Sequence, residues 1–344
     1  MFTVGQNTLA QILRDYAFGQ EISRIEELLR YHYEEHDPAS KEVRLIQKIT
    51  LAGGQTLVVK FKYEADVTRE MIEAQCGFAM LLLENGVHTP RFYSHGGNYV
   101  TEYEIGGNSV WVTVEDFVGG EVRVVDVPTA EKTGVLLAKT HNISEQHHCH
   151  VDCPVLFDPF APNDLFFADA FASIGPSLDQ SLKPVFDSIQ AEYARRMALL
   201  QPLQAMPRYA VQGDISDCNL FHCPDGTVGM FDFNRCGDNN LFCDAVMQAV
   251  FEARLMDYPP DADGDYSRAI LNAFLSGYQK LRPFTPAQRE YFSILCPVID
   301  AFWGMDILHG QDSLVKLAER GARDALSSKL HSIHRKIHAA SSAW

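Results

Sequence analysis

The chain has 344 residues, 46% hydrophobic and 22% charged, which is the balance of a globular protein with a substantial core rather than of a disordered one. Its formal net charge of −16 argues against nucleic acid or an anionic membrane as a partner and suits a cationic small molecule. The start "MFTVGQNTLAQILRDYAFGQ" lacks a basic–apolar leader, and no run reaches the ~18 apolar residues of a spanning helix. The eight cysteines, scattered from Cys76 to Cys296, do not form a disulfide framework, so a reduced cytoplasmic protein is expected.

Residues 8–30 show apolar spacings of three and four and predict two short helices broken near Gly19. The period then changes. "VRLIQKITL" (43–51), "QTLVVKFKY" (55–63), "YVTEYEI" (99–105) and "VWVTVEDFV" (110–118) are rich in β-branched and aromatic residues and separated by glycine turns, so they predict antiparallel strands. Between the second and third, residues 68–86 carry an apolar stripe closed by Gly86 and predict a helix. Beyond Gly119 the pattern is mostly helical, over 128–143, 177–201, 242–256, 267–282, 286–308 and 311–340, while 145–176 has no clear period. The expected fold class is α+β with two lobes: residues 1–118, a small antiparallel sheet with one helix, and residues 119–344, a larger helical part.

The stretch "VQGDISDCNLFHCPDGTVGMFDFNRCGDNNLFCDAV" (211–246) interrupts the helices with a tight hairpin. Such a hairpin can bring Asp214, Asn219 and Asp232 towards one point. Two carboxylates and an amide carbonyl make a hard-oxygen site, which suits magnesium better than zinc. Magnesium held by few protein ligands takes phosphate oxygens, the arrangement of phosphoryl transfer. A set of turn-capping side chains is the plainer reading of the same residues.

The stretch resembles the catalytic core of the aminoglycoside phosphotransferase and choline kinase-like family, a small-molecule branch of the protein-kinase-like fold. The resemblance rests on "QGDISDCN" followed by "MFDFNRCGDNNLFCD", with Gly213, Asp214, Asn219, Asp232, Gly237, Asp238 and Asp244 in register. Gln212 stands where that family usually has histidine. The resemblance implies a two-lobed fold and ATP, or GTP in its place, as donor. Asp214 would accept or orient the proton of a substrate hydroxyl, Asn219 and Asp232 would hold Mg2+, and Asp238 and Asp244 would brace the loop.

The same resemblance assigns the nucleotide phosphates to a strand lysine, Lys60, with Lys62 as its rival on the same face, and to Lys60 a helix glutamate, Glu73, with Glu70 and Gln75 as alternatives. It makes "VTVEDFVGG" the joint between lobes, where Glu115, Asp116, Phe117 and Val118 would line an adenine site, and gives His141 a structural place. Asp300, Trp303, Asp306 and His309, at spacings of three and six, can share a helix face and form part of an acceptor pocket. Core packing by Phe302 and Trp303 with an acidic edge explains them equally well. "HHCHVDC" (147–153) lacks the second, separated ligand pair of a closed zinc site, and "DADGDY" (261–266) lacks the glycine and glutamate of a calcium loop. The expected activity is transfer of the γ-phosphate to a hydroxyl of an aminoglycoside, amino alcohol or sugar-like molecule. The competing expectation is a non-catalytic nucleotide-binding regulatory protein, against which Asp214, Asn219 and Asp232 together argue.

Overall fold

The computed structural model describes residues 2–31, 42–161, 168–215 and 219–339. It divides into two compact units, Met1–Val122 with Asn219–Asn234, and Arg123–Cys218 with Arg235–Trp344. The protein is of the α+β class, with an antiparallel sheet in the first unit and mainly helices in the second.

In the first unit, helix α1 (Gln6–Asp15) precedes strands β1 (Ile22–Tyr31), β2 (Val43–Leu51) and β3 (Thr56–Tyr63). Helix α2 (Arg69–Glu84), β4 (Phe92–Tyr93), β5 (Thr101–Ile105) and β6 (Asn108–Asp116) follow. The sheet order is β1-β2-β3-β6-β4, with β5 also pairing with β6, and every pairing is antiparallel. Alternation along β2 and β3 turns Val43, Leu45, Ile49, Leu51, Leu57, Val59 and Phe61 to one face. There they form a core with Leu9, Ile12, Leu13 and Tyr16 of α1. The opposite face carries Arg44, Lys48, Lys60 and Lys62. Helix α2 starts at Thr68, whose hydroxyl accepts the Met71 N–H at 3.2 Å, and ends before Gly86 at φ 77°.

Residues 22–31 are a strand and not the second helix that their spacing predicts. β1 is an edge strand, and its pairing with β2 is broken between Ile22 and Arg24 and between Glu27 and Leu29. These two irregularities erase the alternation by which a strand is read and leave apolar residues at helical intervals.

The hairpin β8 (Leu220–His222) and β9 (Val228–Met230) belongs to the first unit, although the sequence-based division places it within 119–344. Its backbone is tied there: the His222 N–H donates to Gly120 O and the Met230 N–H to His88 O, at 2.9 and 3.0 Å.

The second unit holds α3 (Val127–Gln146), α4 (Ala168–Ser173), α5 (Lys183–Gln204), α6 (Leu241–Leu255), α7 (Tyr266–Gln279) and α8 (Pro286–Ala301). After them come α9 (Leu314–Glu319) and α10 (Arg323–His338). A short ladder pairs β7 (Tyr209–Val211) with β10 (Gly237–Asn239). α3 and α7 approach so closely that a Cβ on Gly134 would lie 1.9 Å from Phe274 O. The segment expected as one helix over 286–308 stops at Ala301 and continues as a single π turn, Met305–His309. That expected over 311–340 is two helices separated near Gly321 at φ 62°. No helix among the described residues is long and apolar enough to cross a membrane, and all seven described cysteines are free thiols.

Candidate active site

Lys60 lies at the centre of β3 opposite Thr113 of β6, and Glu115 is two residues further along β6. Diagonal neighbours of this kind share a sheet face. The Lys60 ammonium therefore meets Glu115 Oε1 at 3.0 Å and Asp232 Oδ1 at 3.5 Å. Burial alone would push that ammonium down, but Glu115 and then Asp232 hold it above the ordinary lysine range. The other Glu115 oxygen, Oε2, is buried without a hydrogen-bond partner.

Asp232 follows β9 in a left-handed conformation, φ 56°, uncommon outside glycine. Burial works against its ionisation, yet Lys60, Arg44 and the Asn234 N–H keep the carboxyl below the ordinary aspartate range. Across the hairpin, the Phe231 N–H donates to Asn219 O at 2.9 Å, so Asn219 and Asp232 are presented at the same end of it. An anionic carboxylate and an amide are the hard-oxygen donors that Mg2+ accepts, so this pair fits the expected ion.

Lys62 turns to Glu64 at 3.6 Å, and burial lowers its affinity for a proton. It is not part of the Lys60 cluster. Glu73, expected as the partner of Lys60, instead accepts the N–H groups of Tyr99 and Val100 at 2.9 and 2.8 Å and fixes the turn into β5. Gln75 is buried and donates to Asn234 O at 3.1 Å, steadying the chain just after Asp232. Glu70 sits in the first turn of α2, where its charge complements the helix terminus.

The segment expected to line an adenine site makes contacts within its own unit. Glu115 faces Lys60, while the Phe117 N–H donates to Thr56 O at 3.0 Å and the Phe117 ring lies 3.6 Å beneath Lys48 Nζ. Asp116 accepts the Tyr93 hydroxyl at 2.8 Å, and Val118 is half-buried.

In the second unit, Asp214 follows Gly213, which has φ 79° and lies against Arg235 O, 2.9 Å from where a Cβ would be. The Asp214 N–H donates to Gln212 Oε1 at 2.7 Å, so this glutamine braces the loop. The Ile215 N–H donates to Gln248 Oε1 at 3.0 Å; Gln248 donates to Asp244, and Asp244 meets His141 Nε2 at 3.0 Å. Tyr278 closes this buried chain on His141 Nδ1 at 2.8 Å. Burial outweighs the pull of Asp244 and keeps the imidazole below its ordinary 6.5, hence neutral. Asp238 accepts the Val151 N–H at 2.7 Å and meets His150 at 3.0 Å, so the "HHCHVDC" stretch serves to brace the loop. Gly237 admits no side chain, because a Cβ would lie 2.2 Å from Cys153 O.

The residues suggested for the acceptor are largely occupied. Asp300 pairs with Arg254, whose guanidinium lies 5.3 Å over the Trp303 ring, and Asp306 is bound by Lys329 and Lys336 at 2.9 and 2.7 Å. Trp303 and Phe302 are buried and stack on Phe251 and Phe171 respectively, edge-on in both cases.

The sequence profile of the phosphotransferase enzyme family matches residues 46–284. The chain belongs to that family. It is thus a phosphotransferase, and solved structures of small-molecule kinases share its fold. An amicoumacin kinase in complex with AMP-PNP, Ca2+ and Ami is 13% identical with a TM-score of 0.56, covering 95% of this chain and 93% of that one. A microcompartment-associated aminopropanol kinase is 14% identical with a TM-score of 0.55, covering 96% and 95%. An aminoglycoside phosphotransferase from Alicyclobacillus acidocaldarius is 12% identical with a TM-score of 0.51, covering 90% and 92%. No curated protein sequence matches the chain significantly.

Proposed function

We propose that this phosphotransferase moves the γ-phosphate of Mg2+-bound ATP to a hydroxyl of a small, amine-bearing molecule. The observation that carries the reading is the Lys60–Glu115–Asp232 cluster, a largely covered cation held in place beside a hard-oxygen pair, Asn219 and Asp232. Lys60 would bind the nucleotide phosphates, with Glu115 fixing its rotamer. Asn219 and Asp232 would hold the magnesium, which when bound neutralises phosphate charge. Asp214, its backbone set by Gln212 and its neighbour by Gln248, would accept the hydroxyl proton as the acceptor oxygen attacks. Catalysis on this reading is mostly positioning and charge compensation.

An amine-bearing acceptor is supported by the net charge of −16 and by relatives that act on amicoumacin and aminopropanol. Because Asp300 and Asp306 already carry cations of this chain, an acceptor amine there would have to displace Arg254 or the Lys329–Lys336 pair. The test is incubation of the purified protein with Mg-ATP and a panel of amino alcohols, aminoglycosides and neutral sugars, read by phosphorus NMR. A new phosphate monoester on an amine-bearing acceptor is expected. Nucleotide binding with no phosphorylated acceptor would return the reading to a regulatory nucleotide-binding protein.

A further inference from the structure

The tip of the β8–β9 hairpin holds a group of side chains that the phosphotransfer reading does not use. Cys223 and Asp225 lie in the turn "HCPDGT", and His88 comes from the segment between α2 and β4. One donor atom from each lies within 4.8 Å of the other two, and among the described residues this is the one group of three or more His, Cys, Asp and Glu so gathered.

Each ligand is held on a fixed backbone. The turn is closed by the Gly226 N–H donating to Cys223 O at 3.0 Å and the Cys223 N–H donating to Thr227 O at 2.9 Å. Thr227 donates to Asp225 Oδ1 from both its N–H, at 2.9 Å, and its hydroxyl, at 2.6 Å, which leaves Oδ2 facing His88. His88 stands between buried Val87 and Thr89, and its carbonyl accepts the Met230 N–H at 3.0 Å. That approach is close enough that a Cβ on Gly229 would fall 2.6 Å from His88 O. The two segments are therefore locked together by backbone whether or not anything binds.

We propose that His88, Cys223 and Asp225 form a site for a zinc-type divalent cation, with water in the fourth position. The mixed imidazole, thiolate and carboxylate set is borderline-soft, which selects zinc or cobalt over magnesium. The spacing suits it. His88 Nε2 and Asp225 Oδ2 are 3.2 Å apart. Two donors at tetrahedral zinc distances are separated by about 3.4 Å. The ligands come from two separated segments, as a zinc site requires and the 147–153 stretch by itself does not provide. A bound cation would clip the segment after α2 to the hairpin whose other end presents Asn219 and Asp232.

The test uses the full chain, stripped with a chelator and titrated with Zn2+ alone against a chromogenic competitor, then with Co2+. One tight equivalent is expected, with a thiolate–cobalt absorption band of tetrahedral intensity. His88→Ala and Asp225→Ala, both at half-exposed positions that the fold tolerates, should weaken binding by at least about tenfold, and Cys223→Ser should abolish the cobalt band. Cys149→Ser should change neither. The proposal is overturned if the wild type takes up no zinc, or if His88→Ala and Cys223→Ser bind it as tightly as the wild type. Neither readout depends on phosphotransfer, so the result leaves the proposed function untouched.

Discussion

Lys60 Nζ stands 3.0 Å from Glu115 Oε1 because the two residues are diagonal neighbours on paired strands. The partner of Lys60 is thus supplied by the sheet itself and is fixed by register, while the helix glutamate Glu73 accepts the backbone N–H groups of Tyr99 and Val100.

Removing the lysine alone should therefore hurt the fold as well as the chemistry. Lys60→Met is expected to cut turnover by at least 100-fold and to lose about 3 kcal/mol in urea unfolding, because Glu115 is left buried and unpaired. The double variant Lys60→Met with Glu115→Leu should recover most of the stability and none of the activity. Equal stability of single and double variants would show that the pair is not coupled.

Gln248 acts on the loop through the Ile215 N–H. Gln248→Leu should leave that donor unsatisfied, lower stability by about 1–3 kcal/mol and reduce kcat by roughly ten- to a hundredfold with little change in nucleotide affinity. Faster hydrogen exchange at the Ile215 amide should accompany it; unchanged exchange and kcat would remove Gln248 from the account.

Two glycines with positive φ separate conformation from contact. Gly96→Ala, at φ 59° with open space around it, should cost only about 1 kcal/mol and leave turnover intact. Gly213→Ala meets Arg235 O as well and should cost more and suppress turnover by displacing Asp214. Equal effects of the two substitutions would contradict a close approach at Gly213.

His141 is buried and neutral, its affinity for protons lowered in the folded state. Below pH 6.5 the unfolded chain binds a proton there that the folded chain does not, so this contribution to stability is present above 6.5 and is lost as pH falls. The unfolding free energy measured between about pH 7.5 and 5.5 should fall more steeply in the wild type than in His141→Gln, by up to about 1.4 kcal/mol per pH unit. Parallel slopes would show that His141 does not titrate on unfolding.

What could be read from the sequence was local. The hairpin with Asn219 and Asp232, the strands around Lys60 and the helix ending at Gly86 each rest on turn residues and periodicity within a few residues, and the structure has them where the spacing puts them. What could not be read depends on partners far along the chain. Nothing near Glu115 announces that strand register will aim it at Lys60, and nothing near His150 announces Asp238. β1 was concealed by its own irregular pairing. His88 is isolated in sequence, and it is brought beside Cys223 and Asp225 by backbone far along the chain, where its carbonyl accepts the Met230 N–H.

The most direct test of the account compares wild type with Asp214→Ala for both Mg-ATP binding by calorimetry and phosphorylation of the best acceptor from the panel. The variant is expected to bind nucleotide within a few-fold of wild type while turnover falls by about a hundredfold or more. Full turnover in the variant would contradict it, because Asp214 would then have no part in accepting the hydroxyl proton.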